Sequence, residues 1–174
     1  MCERREQCAN LLTLLNGNAE AAERLSESIT RYGSATPYDR SIFLEAQKTM
    51  MSFGLSADFA FERLQNIGDI ALEDKEKMKS LALAFSQATA SGKLMGQDLM
   101  QMINAGFNPL EVISRKTGES IAQLKERMSA GGISAEELAE AFQTATQKGE
   151  RFYQGAERAG ATTIRRVEKQ LEKC

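Results

Sequence analysis

The chain contains no histidine and no tryptophan, and it has only two prolines and three cysteines in 174 residues. Without histidine, the commonest metal ligand and the commonest general base are both missing. Cys2, Cys8 and Cys174 sit at the two ends, odd in number and without a spacing pattern. They predict neither a disulfide framework nor an all-thiolate zinc site within one chain, and read as reduced cytosolic thiols. Long hydrophobic runs are absent as well. The longest unbroken one, Leu81-Ala82-Leu83-Ala84-Phe85, is far short of the ~20 residues that cross a bilayer. Met1-Cys2-Glu3-Arg4 opens a polar stretch and not the apolar heart of a secretory signal. Nor is there an excess of one charge: 22 basic residues stand against 24 acidic ones, which argues against nucleic acid as the main partner. These absences predict a soluble, non-exported piece with no cofactor and no metal.

What is present is a 42% hydrophobic chain rich in helical punctuation. At this length, folding buries roughly 70% of the surface the unfolded chain exposes, so a real core is expected. No segment alternates apolar and polar residues at period two, and the chain reads as all-α, a compact set of short helices with glycine joints. The opening stretch is helix-compatible to Leu15 and stops at Asn16-Gly17-Asn18; a second helix covers Ala19 to Tyr32. Thr36-Pro37 predicts a third start, with Thr36 as cap and Pro37 in the first turn, running to Phe53 and Gly54. Ser56 caps a fourth helix through Phe59, Leu64, Ile67 and Ile70. The charged Glu73-Asp74-Lys75-Glu76-Lys77 run then starts a long helix that Gly92 ends. A short helix follows over Gly96 to Asn104. Asn108-Pro109 repeats the cap-then-proline start and Gly118 closes it. Ser120 with Gln123 and Ser134 with Glu137 form two capping boxes. From Glu150 to Lys173 the chain is again helix-compatible, weakened in its first half by Gly155 and Gly160.

Several short patterns invite a sharper reading. Ser91-Gly92-Lys93 resembles a phosphate loop only superficially, since Gln87 stands where the first glycine belongs and Leu94 where a magnesium-binding hydroxyl is needed. The acidic cluster around Glu73 is interleaved with lysines and reads as a solvated helix start. Met50, Met51, Met78, Met95, Met100 and Met102 are the size and spacing of core filler, while an adaptable partner groove is the sharper alternative. Phe107-Asn108-Pro109 either presents an aromatic ring to a partner or packs it beneath a turn. The candidate partner-contact residues are therefore Phe107, Asn108, Pro109, Met95 and Met100. A faint echo also links 92–99 to 131–138, each a glycine joint feeding a capped helix.

The landmarks TPYDRSIFLEAQKTMMSFG, IGDIA, SLALAFSQ, SGKLMGQDLMQMINAGFNPLEVISRKTG, LKERMSAGGIS and KGERFYQGAE occur in that order from about Asn10 to Glu157. In wording and spacing they resemble the N-terminal tape measure domain of long-tailed bacteriophage and prophage tail proteins. Glu150 after Gly149, and Glu73 after the IGDIA stretch, depart from the usual pattern.

The resemblance implies a structural, non-enzymatic role in tail assembly and tail-length determination, inside a longer helical protein around which tail tube subunits polymerise. It implies the tail tube protein, tail assembly chaperones and tail tip components as partners, with self-association as a further contact. The implied location is the host cytoplasm during assembly and the virion tail afterwards. The expected division is a domain over 1–158 and the start of a helical extension over 159–174. In that extension Ile164, Val167 and Leu171 recur three and four apart beside Arg165, Arg166, Glu168 and Lys169. Even as one helix, a chain of this length would span only about 260 Å, which favours a piece of a longer ruler. The alternative is a free-standing helical adaptor. A peptidoglycan hydrolase is the weakest reading, given the missing histidine and the lack of a nucleophile motif.

Overall fold

The computed structural model of the protein describes residues 9 and 11–171. Readings that rest on Cys2, Cys8 and Cys174, and on the side chains of 165–169 and 171, lie outside the described residues. After a helical turn over 11–14 come α1 (Ala19–Ala35), α2 (Arg40–Ser52), α3 (Ala57–Ala71), α4 (Lys75–Ser91), α5 (Gly96–Asn104), α6 (Pro109–Thr117), α7 (Ile121–Ser129), α8 (Ala135–Ala145) and α9 (Gly155–Leu171). The fold is all-α.

Local chemistry accounts for most of the helix starts. Asn18, Ser56, Asp74, Asn108, Ser120 and Ser134 each accept an amide of the first turn that would otherwise lack a partner. Asp74 belongs to the acidic cluster, and its carboxylate takes the Lys77 N–H at 3.0 Å. At Ser120 the reciprocal box is complete, with Gln123 Oε1 receiving the Ser120 N–H at 2.8 Å. At Ser134 only half of it forms, because the Glu137 carboxylate is held by the Arg127 guanidinium at 2.7 and 2.8 Å. A charge-assisted, two-point pair outcompetes a single neutral N–H.

The centre of the molecule is α4, which packs against α2, α3, α5 and α8. Its buried set, Met78, Leu81, Ala82, Ala84, Phe85, Ser86 and Ala88, runs around most of the helix and not along one stripe. A helix covered on this many sides must carry apolar residues all round. Buried Ser86 answers its own hydroxyl by donating to the Ala82 carbonyl at 2.7 Å. Around α4 the aromatic rings link the layers. Phe59 and Phe85 meet at 6.2 Å, Phe85 and Phe142 at 5.2 Å, Phe142 and Phe107 at 4.6 Å, and Phe107 and Phe152 at 6.3 Å. Tyr32, Phe43 and Phe61 form a second group under α1 and α2.

Two starts differ from the sequence expectation. The Thr36-Pro37 restart is not a helix N-terminus: Thr36 is the C-cap of α1, its hydroxyl donating to the Tyr32 carbonyl at 2.9 Å, and α2 begins at Arg40. The reason is Tyr38, which is 1% exposed and donates its hydroxyl to the carbonyls of Gly68, at 2.9 Å, and Leu72. Carrying that ring into the core keeps the chain out of helix until Arg40. The last helix starts at Gly155 and not at Glu150, with 150–154 in turns.

The echoed segments meet. Leu94 N–H donates to the Ile133 carbonyl at 2.9 Å and Ala135 N–H to the Gly92 carbonyl at 3.1 Å, making an antiparallel bridge between Lys93 and Ser134. Leu94 and Ile133, equivalent in the echo, are both fully buried. Gly92 and Gly131 share φ 76°, the left-handed conformation that turns each chain out of its helix into this clasp.

Phe142 touches rings on two sides and is fully buried. Phe142→Ala is expected to lower the unfolding free energy by about 3–5 kcal/mol in a denaturant titration.

Candidate interaction surface

The most distinctive wording of the sequence, INAGFNPL, forms the joint between α5 and α6. Phe107 is 3% exposed, and its amide donates to the Met102 carbonyl at 3.0 Å. The ring therefore lies in the core against Phe142 and Phe152 and is not presented at the surface. Asn108 is half-buried and its Oδ1 accepts the Leu110 amide at 3.1 Å. Pro109 occupies the first helical position, where its missing N–H leaves no acceptor unanswered, and is itself buried. These three residues thus set the angle between two helices.

Beside this joint lies a cleft of about 670 Å³. Its walls come from 106–108, from Val112 and Arg115 of α6, from Ile121, and from 149–152. Two landmarks more than thirty positions apart in the chain therefore line one cleft. Across its mouth Arg115 pairs with Glu150 at 3.1 Å. The Arg151 guanidinium lies over the Phe152 ring, 5.3 Å from its centroid, a cation–π contact that keeps the positive charge at the rim. Glu150, one of the two departures noted in the sequence, here has a structural task.

The methionines divide by face. Met50, Met78 and Met102 are fully buried and fill the core. Met95 and Met100 are 45% and 55% exposed, and Ile103 is exposed with them at 36%. On α5, Leu99 and Met102 point inward, so Met100 and Ile103, three apart, share the outer face. Ile103 was not among the sequence candidates. The available signal was that α5 carries apolar residues at 99, 100, 102 and 103, more than one inward stripe can absorb. Met95 is the N-cap residue of α5 but makes no side-chain cap. Its own amide is answered by Asp98, whose carboxyl is pushed up by burial and held back by that hydrogen bond.

A groove of about 480 Å³ runs beside this face, between Asp74, Lys77 and Ser80 of the α4 start and Gln97, Met100 and Gln101 of α5. Gln101 bridges it by donating to the Ser80 carbonyl at 3.2 Å. The structure thus exposes Met95, Met100 and Ile103, buries Phe107 and Pro109, and leaves Asn108 half-buried. Gly92 and Lys93, the pieces of the phosphate-loop pattern, belong to a helix C-terminus and to the clasp; a phosphate loop requires a helix N-terminus. Among the described residues no grouping of three or more Cys, Asp or Glu is arranged to hold a metal ion.

No curated protein and no solved structure matches the chain. A family model described as tape measure protein matches residues 2–173. That family is structural and not enzymatic, and implies a place in the phage tail with other tail components as partners. No helix among the described residues is long and apolar enough to cross a membrane. With a match over nearly its whole length, joined to an all-α fold in which the distinctive landmarks build one joint and one cleft, the chain belongs to the tape measure protein family.

Proposed function

We propose that this chain is a structural and interaction domain that acts in phage tail assembly and in setting tail length, without catalysis. The observation that carries the reading is the family match over residues 2–173. In this reading the partners are the tail tube protein, the tail assembly chaperones and the tail tip components. The domain works in the host cytoplasm during assembly and in the virion tail afterwards. Residues 1–158 make up the domain, and 159–174 begin a helical extension.

We assign the contact face to Met95, Met100 and Ile103. Exposed thioethers repack around varied partners at little conformational cost, and this face is the apolar part of α5 that the core does not use. Phe107, Asn108 and Pro109 serve it indirectly, by fixing how α5 is presented.

Removing the domain from a phage that carries it is expected to abolish tails or change their length, as read by electron microscopy; normal tails of unchanged length would sink the reading. For the face itself, Met100→Asp combined with Ile103→Asp is expected to weaken binding to purified tail tube protein or chaperone at least tenfold. Stability should change by no more than about 0.5 kcal/mol per substitution, as is usual for surface positions. Phe107→Ala should behave oppositely, lowering stability by about 3–5 kcal/mol.

A further inference from the structure

Helix α9 is attached to the rest of the fold in a way that differs from every helix before it. The residue preceding it, Gln154, is left-handed at φ 49°, whereas an N-cap residue normally takes an extended conformation. The oxygen that receives the Ala156 N–H is instead Asp69 Oδ1, at 3.1 Å and 87 positions earlier in the chain. The cap of α9 is tertiary. Gly155 lies so close to α3 that a β-carbon there would stand 2.1 Å from the Asp69 carbonyl oxygen. Farther along, Gly160 faces Pro37, where a β-carbon would come within 3.3 Å of the proline Cδ. The Thr163 hydroxyl then donates to the Glu73 carboxylate at 2.7 Å. Burial falls along the helix: Ala156 is fully buried and Ile164 is 60% exposed.

This docking rests on small residues. Gly155, Ala156 and Gly160 bury little apolar surface, whereas α8 drives Leu138 and Phe142 fully into the core. The link into α9, 146–154, contains no helix and includes Gly149 at φ 96°. We propose that α9 is a detachable strap, which releases from α3 as one unit while the body from α1 to α8 stays folded. Cap and close contact both come from the neighbourhood of Asp69, so they are lost together and release is two-state. The inference concerns the mechanics of the domain and goes beyond the tail reading, on which it does not depend.

Asp69 also gives the strap a pH response. Its carboxyl faces the phenols of Tyr32 and Tyr38 and, from α9, Glu157 and Arg158; Glu73 and Asp74 in turn lie near the Tyr38 phenol. Burial pushes it up to about 6, opposed by the Ala156 N–H and reinforced by Glu157. Release uncovers the group and moves it back toward its ordinary value near 3.8. The docked form therefore holds the proton more tightly, and docking is strongest at acid pH and weakens as pH rises through 6.

Native-state hydrogen exchange on the full chain, read by mass spectrometry at low denaturant, tests this. The amides of 156–163 are expected to be at least tenfold less protected than those of α4 and α8, with a shallower denaturant dependence. After correction for intrinsic rates, their protection should fall from pH 5 to pH 7.5. Asp69→Asn keeps an acceptor for Ala156 but cannot ionise, and should flatten that pH response. Gly155→Val should strip protection from 156–163 while leaving α4 and α8 protected. The strap is overturned if 156–163 exchange only with global unfolding, on the same denaturant slope as α4 and α8. It is overturned equally if Asp69→Asn responds to pH as the parent chain does.

Discussion

The arrangement of this domain depends on the burial of one ring, Phe142. It sits between Phe85 of the central helix and Phe107 of the α5–α6 joint, and through Phe107 reaches Phe152 in the link before α9. Four parts of the chain that are remote in sequence are thus held by successive ring contacts, edge-on or tilted as the quadrupoles of aromatic rings prefer. Aromatics make up only 6% of the residues, and gathering most of them into two groups gives each a large share of the packing. The helices themselves are short, several of nine residues, and too short to be stable alone in water. Their persistence is a consequence of this shared core and of their caps.

How much of this was legible in the sequence divides along the line between local and distant interactions. Caps such as Ser56, Asn108 and Ser120, and stops such as Gly92 and Gly118, act within a few residues of themselves, so their chemistry can be read in place. The start of α2 could not be, since Thr36-Pro37 has good local credentials and is overruled by the partners Tyr38 finds at Gly68 and Leu72. The beginning of α9 was obscured for the same reason. Gly155 and Gly160 look like weaknesses in a helix considered by itself, yet they are the two places where the helix backbone comes close to other parts of the fold. At the candidate surface, Met95 and Met100 are exposed, and the inward turn of Phe107 and the outward face of Ile103 depend on the rotation of α5 against α4. Periodicity in a nine-residue helix fixes that rotation only loosely.

The separation between core and surface methionines bears on how such a domain meets its partners. Met50, Met78 and Met102 are fully buried, whereas Met95 and Met100 are exposed. In the proposed reading, a thioether coat on a helix held by the Phe107–Pro109 joint adapts to small differences in the partner surface.

The hydrogen-bonded clasp between Gly92 and Ala135 closes a loop of chain that contains α5, α6 and α7 entire. In polymer language the two backbone bonds and the buried pair Leu94 and Ile133 fasten the ends of that loop. The entropy of closing it grows only logarithmically with length, about 0.6 kcal/mol for each doubling. Residues inserted at the exposed Gly118, in the turn between α6 and α7, would thus leave the fastening nearly as favourable as before. The stretch carrying the outward methionines is in this sense fastened to the core at both of its ends, in addition to the packing of its own helices against α4 and α8.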